Sequence, residues 1–242
     1  MNGNIYPNPP LIEAICEFHF DPSSGWDATT PGLIYKELEK DFPQKEQVMQ
    51  VNVSFRDDLL SPSTNMIAIS RFTRQDNEVV IQVGPNLLTV NHLKPYSSWD
   101  YFRTLIEQGL NIYKQIVHPS ALQGIAVRYI NKVEFDTPTV EIEDFFEFYP
   151  YMGPRLPQPY GAFLMNVQIP YENNRDFLTM KMNPAPDSTI DKLIVLFEIG
   201  YYLNILGSID IDNIDSWIEE AHSRIEEVFE ASITDKLRFK FQ

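Results

Sequence analysis

Val83-Gly84-Pro85-Asn86-Leu87-Leu88-Thr89-Val90-Asn91-His92-Leu93-Lys94-Pro95-Tyr96-Ser97-Ser98-Trp99 carries a strand-like end through a glycine and a polar loop to a tryptophan that heads an amphipathic segment. Ile199-Gly200 leads in the same way to Ser216-Trp217. Gly84 to Gly200 is a step of 116 positions and Trp99 to Trp217 one of 118, close to half of the 242 residues. Such an echo predicts a duplicated chain, with residues 1–120 as one repeat and 121–242 as the other, packed as one compact unit.

Working outward from that stretch, the hydrophobic period assigns the elements. Residues 10–20 alternate as a strand does: Ile12, Ala14, Cys16, Phe18 and Phe20 share one face, and Leu11, Glu13, Ile15, Glu17 and His19 the other. A helix is expected after Thr29-Thr30, with Pro31 in its first turn, Leu33, Ile34, Leu38 and Phe42 turned inward, and Pro43 ending it. Strands follow at 48–55, 66–72 and 79–90, with a hairpin turn at Gln75-Asp76-Asn77 and an interruption at 84–86. Ser98 is placed to cap a long helix. The second half reads as a strand at 125–135, a short acidic-aromatic helix at 141–149, strands at 163–170, 177–182 and 193–206, and a closing helix at 216–233 that opens with a Ser216-x-x-Glu219 capping box. Two rounds of strand, helix, strands, helix imply an α+β fold with antiparallel sheets. This element order resembles the TATA-binding-protein-like saddle class and, less closely, a helix-grip fold.

Composition narrows the classes of function. With 43% hydrophobic and 13% aromatic residues the chain can bury a large core. No apolar run reaches about 18 residues, and Met1-Asn2-Gly3-Asn4 has neither a basic nor an apolar character, so a soluble, cytoplasmic protein is expected. The net charge of −15 divides as −5 over residues 1–120 and −10 over 121–242, a field that repels phosphate backbones and anionic membranes. Nucleic acid is therefore a disfavoured partner. The single cysteine, Cys16, excludes an internal disulfide, and its Glu17 and apolar neighbours suit a buried structural thiol. His19, His92, His118 and His222 show no ligand spacing, and no phosphate-cradling glycine motif is present, so no metal and no cofactor is expected.

Three features remain as candidates for function. Glu13 and Glu17 on the opening strand, with Arg128, Asn131, Lys132 and Glu134 on its counterpart, form either a salt-bridge ladder that docks the halves or a polar groove in which Arg128 takes an anion. Residues 149–160, with four prolines and three tyrosines, form an extended loop in which Tyr151, Arg155 and Tyr160 are a candidate contact patch. The basic and aromatic end, residues 232–241, either folds back on the acidic segment 210–230 or reaches a second subunit.

Asn8-Pro-Pro-Leu-Ile-Glu-Ala14, Gly84-Pro-Asn-x-Leu-Thr-Val-Asn91 with Trp99, Arg128-Tyr-Ile-Asn131 and Ile233-Thr-Asp-Lys-Leu237 together resemble a sporadically distributed bacterial family with no assigned activity. Members usually carry an arginine near the end of the first strand, where this chain has Phe18-His19-Phe20. The sporadic distribution implied by the resemblance suits mobile or defence-associated genes. The expectation is a non-catalytic binding protein that meets a protein partner or itself through an exposed sheet face and the 149–160 loop. The alternatives are a small-ligand binder or enzyme with a pocket between the halves, and an acidic inhibitor or antitoxin of a basic partner.

Overall fold

The computed structural model describes residues 6–22, 25–54, 63–158, 162–189 and 191–242. Among them are nine strands, paired antiparallel, and four α-helices, so the architecture is α+β. Phe55, at the end of an expected strand, and Tyr160 lie outside the described residues. The chain forms two compact units. The amino-half unit is Ile15–Ile125 with Ile209–Ile211; the carboxy-half unit is Met1–Ala14, Ala126–Ser208 and Asp212–Gln242. Strands β1 (Leu11–Phe20) and β6 (Leu122–Phe135) each contribute residues to both.

In the amino-half unit the strand order is β2 (Gln44–Ser54), β3 (Ser63–Thr73), β4 (Val79–Gly84), β5 (Leu87–Leu93) and then the end of β1. The turns are set by residues that tolerate a left-handed backbone. Asn77 closes the β3–β4 turn at φ 64°, and Asn86 follows Pro85 at φ 60° between β4 and β5. Helix α1 (Thr30–Leu38) begins where expected, although the oxygen that caps it belongs to Asp27, which accepts from the Thr29 and Thr30 amides at 2.8 and 3.1 Å. Leu33 does not face inward as its apolar character suggested; it is half exposed, because the buried row is Ile34, Leu38 and Phe42 at a spacing of four and Leu33 falls beside it. Helix α2 (Trp99–Val117) is capped by the Ser98 hydroxyl at 3.2 Å and lays Phe102, Leu105, Ile106 and Tyr113 into the core with Phe18, Ile81, Val83 and Leu88.

In the carboxy-half unit the order is β6, β9 (Leu193–Leu203), β8 (Asp176–Pro184) and β7 (Met165–Tyr171). Helix α3 (Ile214–Ser232) packs Trp217, Ile218, Ala221 and Ile225 toward the buried side of β9, which presents Phe197, Ile199 and Tyr201. It starts earlier than the capping box implied: Asn213 is the cap residue, and Ser216 donates its hydroxyl to the Asn213 carbonyl at 2.9 Å. A short helix α4 (Asp235–Lys240) follows, capped by Thr234. The expected helix at 141–149 is replaced by a single 3-10 turn, Ile142–Asp144. Its backbone turns to the far end of the chain instead: Glu147 donates to Ser232 at 2.9 Å and Thr234 donates to Phe145 at 3.0 Å, leaving Phe146 fully buried.

The two units share the rank order β3-β4-β5-β1 and β7-β8-β9-β6. The quoted glycines do not fall at equivalent places within it. Gly84 ends β4, with all of β5 between it and Ser98, whereas Gly200 lies inside β9.

Candidate functional site

Strand alternation sorts the polar residues of β6 between two faces. Val127, Tyr129, Asn131, Val133 and Phe135 are buried, and Arg128, Lys132 and Glu134 stand half exposed on the other side. Asn131 is thereby separated from Arg128. It is 5% exposed and donates to the Phe197 carbonyl at 3.2 Å, which suits a core amide rather than a ligand group.

On the open face, Arg128 Nη1 lies 3.6 Å from Glu198 Oε1, and Lys181 Nζ approaches the same oxygen at 3.5 Å. The Tyr202 hydroxyl donates to Glu198 at 3.4 Å. Gly200 makes this geometry accessible, since a Cβ there would sit 2.6 Å from the Tyr202 ring. Phe177 stacks on that ring with centroids 4.9 Å apart. Burial raises the Tyr202 phenol pKa, and the Glu198 carboxylate adds to the shift. Further along the face, Lys132 reaches Asp187 at 3.1 Å and Glu134 at 3.2 Å, and Lys192 pairs with Glu134. These partners are water-accessible, so each such pair contributes about 0–1 kcal/mol. Four cations, Arg128, Lys132, Lys181 and Lys192, thus share a face with three carboxylates, within a half of the chain that carries a net charge of −10.

Glu13 and Glu17 share one face of β1 and are both half buried. Glu17 contacts His19 Nε2 at 2.6 Å. In the 149–158 loop Tyr151 is 76% exposed and Arg155 is exposed. The Gln158 amide clips this loop by donating to the Gly153 and Leu156 carbonyls at 3.1 and 2.7 Å. Among the exposed large apolar side chains, Tyr151, Leu156, Leu164 and Val167 fall within seventeen consecutive positions.

Three features are not visible in the sequence pattern. The Asp176 carboxylate, fully buried at the start of β8, accepts from Trp217 Nε1 at 3.1 Å, the Tyr201 hydroxyl at 3.2 Å and Arg175 Nε at 3.0 Å. Tyr129 and His222 Nδ1 meet at 2.7 Å, with Glu226 3.4 Å from the other ring nitrogen. A cleft of about 370 Å³ lies between the end of β6 and α4, where Lys236 pairs with Asp144 at 2.6 Å and covers the Phe145 ring. The basic end of the chain folds back, with Arg238 Nε 3.3 Å from Glu230. Cys16 is fully buried and its thiol pKa is raised, by desolvation first and then by Glu17.

Among the described residues no group of three or more His, Cys, Asp or Glu side chains is arranged to hold a metal ion. None of their helices is long and apolar enough to cross a membrane. Neither a protein-family model nor a curated protein matches the chain.

Proposed function

We propose that this is a non-catalytic cytoplasmic interaction protein whose recognition surface is the open sheet face around Arg128 and Glu198 together with the Tyr- and Pro-rich loop. The observation that carries the reading is the exposure of Tyr151, Leu156, Leu164 and Val167 in one stretch of chain, together with a sheet face on which charges are mutually paired. Exposed Tyr and Arg on a proline-stiffened loop lose little entropy on docking, which suits a binding hot spot. The reading includes descent of the two halves from one duplicated unit with a TATA-binding-protein-like plan. The shared strand rank order supports that descent. It also includes membership of the sporadically distributed bacterial family that the sequence motifs resemble.

The test is isolation of the protein from its native host, followed by native mass spectrometry of the wild type, of a Tyr151→Ala, Arg155→Ala double variant and of Arg128→Ala. A co-purifying polypeptide is expected in the wild type and at least tenfold less of it with the loop variant, matching the 1.4 kcal/mol or more that a hot-spot residue supplies. Both loop side chains are exposed, so the unfolding free energy stays within about 0.5 kcal/mol of wild type. A co-purifying small molecule lost in Arg128→Ala would instead make the protein a ligand binder.

A further inference from the structure

β7 stands last in the strand order, and among the described residues no strand pairs with its outer edge. Its partner β8 runs antiparallel to it, with Val167 opposite Met180 and Pro170 opposite Phe177. Asn166, Val167 and Gln168 are exposed one after another. Because successive strand residues point to opposite faces, this run is open to solvent on both sides. Long open edges are usually guarded by charge, by bulges or by brevity. Here residues 163–171, Phe-Leu-Met-Asn-Val-Gln-Ile-Pro-Tyr, contain no ionisable carboxylate, amine, guanidine or imidazole, in a chain that is 22% charged. The opposite end of the order differs, since β2 opens Gln44-Lys45-Glu46.

We infer that β7 pairs with β7 of a second copy of this chain, antiparallel, about a twofold axis through Val167. Three features select a second copy. First, two molecules of net charge −15 repel each other, and a charge-free edge is where that opposition is least. Second, the strand is close to palindromic in chemistry about Val167: the amides Asn166 and Gln168 flank it, and Met165 and Ile169 flank those. A twofold axis there sets Asn166 against Gln168 of the second copy and Met165 against Ile169, so like chemistry meets like, as an isologous interface requires. Third, Pro170 has no N–H and is accommodated in a strand with its nitrogen toward the open side. Asn166 and Gln168 have the same parity, so their N–H and C=O groups turn outward and form two reciprocal hydrogen-bonded pairs across the axis. The pairing rests on the interaction-protein reading and names the second copy as one of its partners.

In this register the two Val167 residues form a non-hydrogen-bonded pair with Cα atoms about 4.5 Å apart, within the range that a disulfide spans. Val167→Cys is expected to oxidise to a covalent dimer. Cys16 is silent because it is buried and its thiol pKa is raised. Leu156→Cys, exposed but outside β7, is the control expected to remain uncrosslinked. In sedimentation equilibrium the wild type is expected at twice the 28.1 kDa chain mass. Val167→Lys, which sets two ammonium groups together on the axis, is expected to halve that mass while the chain remains folded by circular dichroism, since Val167 is already 41% exposed. The inference is overturned by a monomeric wild type, by a Val167→Lys dimer, or by equal crosslinking at 156 and 167. A monomer that still captures a polypeptide through Tyr151 and Arg155 overturns the pairing alone. A dimer broken by Val167→Lys that captures nothing upholds the pairing and overturns the recognition loop.

Discussion

Asp176→Ala is expected to destabilise the carboxy-half unit by about 3–5 kcal/mol, the range for removing one member of a buried charged network. The carboxylate is fully buried and ties three elements: Arg175 at the head of β8, Tyr201 on β9 and Trp217 on α3. Deleting it leaves a phenol and an indole N–H in the core without their acceptor, and each such loss costs about 1–3 kcal/mol. Arg175 remains partly exposed and recovers solvation, so its contribution is the smaller one. Asp176→Asn keeps the volume and one carbonyl acceptor, and should lie between wild type and the alanine variant. Trp217 is the natural probe, because its indole N–H bonds directly to the deleted group. An unfolding free energy from urea titration, followed by tryptophan fluorescence, that falls by less than about 1 kcal/mol would show that the network is not holding α3 to the sheet.

The second large effect is a dependence on acid. His92 is fully buried on β5 and neither ring nitrogen has a hydrogen-bond partner among the described residues. Tyr96, Tyr101 and Phe102 surround it, with ring centroids at 4.9, 5.5 and 6.1 Å. Burial is the main cause that lowers its pKa to about 4; the Arg74 guanidinium lowers it further and Asp76 opposes. The unfolded chain titrates this imidazole near 6.5. Because the folded value is depressed, the stabilisation by neutral His92 is complete above about pH 6.5, fades as pH falls toward 4, and is lost below it. Its size is about 3 kcal/mol at 1.36 kcal/mol per pH unit. His92→Phe has no such proton to exclude, so its unfolding free energy should fall by about 3 kcal/mol less than wild type between pH 7 and pH 4. Carboxylates such as Asp76 and Glu134, whose pKa values are lowered by Arg74 and Lys192 first, add the same acid limb to both proteins and cancel in the difference. Parallel stability curves for the two proteins would rule out His92 as the source.

Elements whose physics is local could be read from the sequence. β1, β6, the Asn77 turn and the Ser98 cap each declare themselves within a few residues, by period two, by tolerance of positive φ, or by a side-chain oxygen at a helix start. The segment at 141–149 misled because its backbone partners, Ser232 and Thr234, lie more than 80 positions away, and no local period encodes them. Asp176 escaped notice for the same reason, with partners 25 and 41 positions distant. Asn131 is a different case. Three positions from Arg128 on a strand means the opposite face, and applying alternation to the polar set alone would have separated them. Tyr151 and Arg155 are exposed as their proline-rich setting implied.

The carboxy-half unit is closed by residues from both far ends of the chain. The Asn8 amide donates to the Phe241 carbonyl at 2.9 Å, the Tyr6 hydroxyl reaches Glu230 at 2.9 Å, and the Tyr6 and Phe241 rings meet edge to face. During synthesis, a ribosome that has released residues 6–14 must add more than two hundred others before these partners exist. Tyr6 and Asn8 therefore wait for residues 230–241, whereas the start of β1 has a neighbour as soon as β6 is made, the Lys132 amide donating to the Pro10 carbonyl at 2.8 Å. A product that stops before residue 230 would keep β1 beside β6 and lose the clasp that Tyr6 and Asn8 make with Glu230 and Phe241.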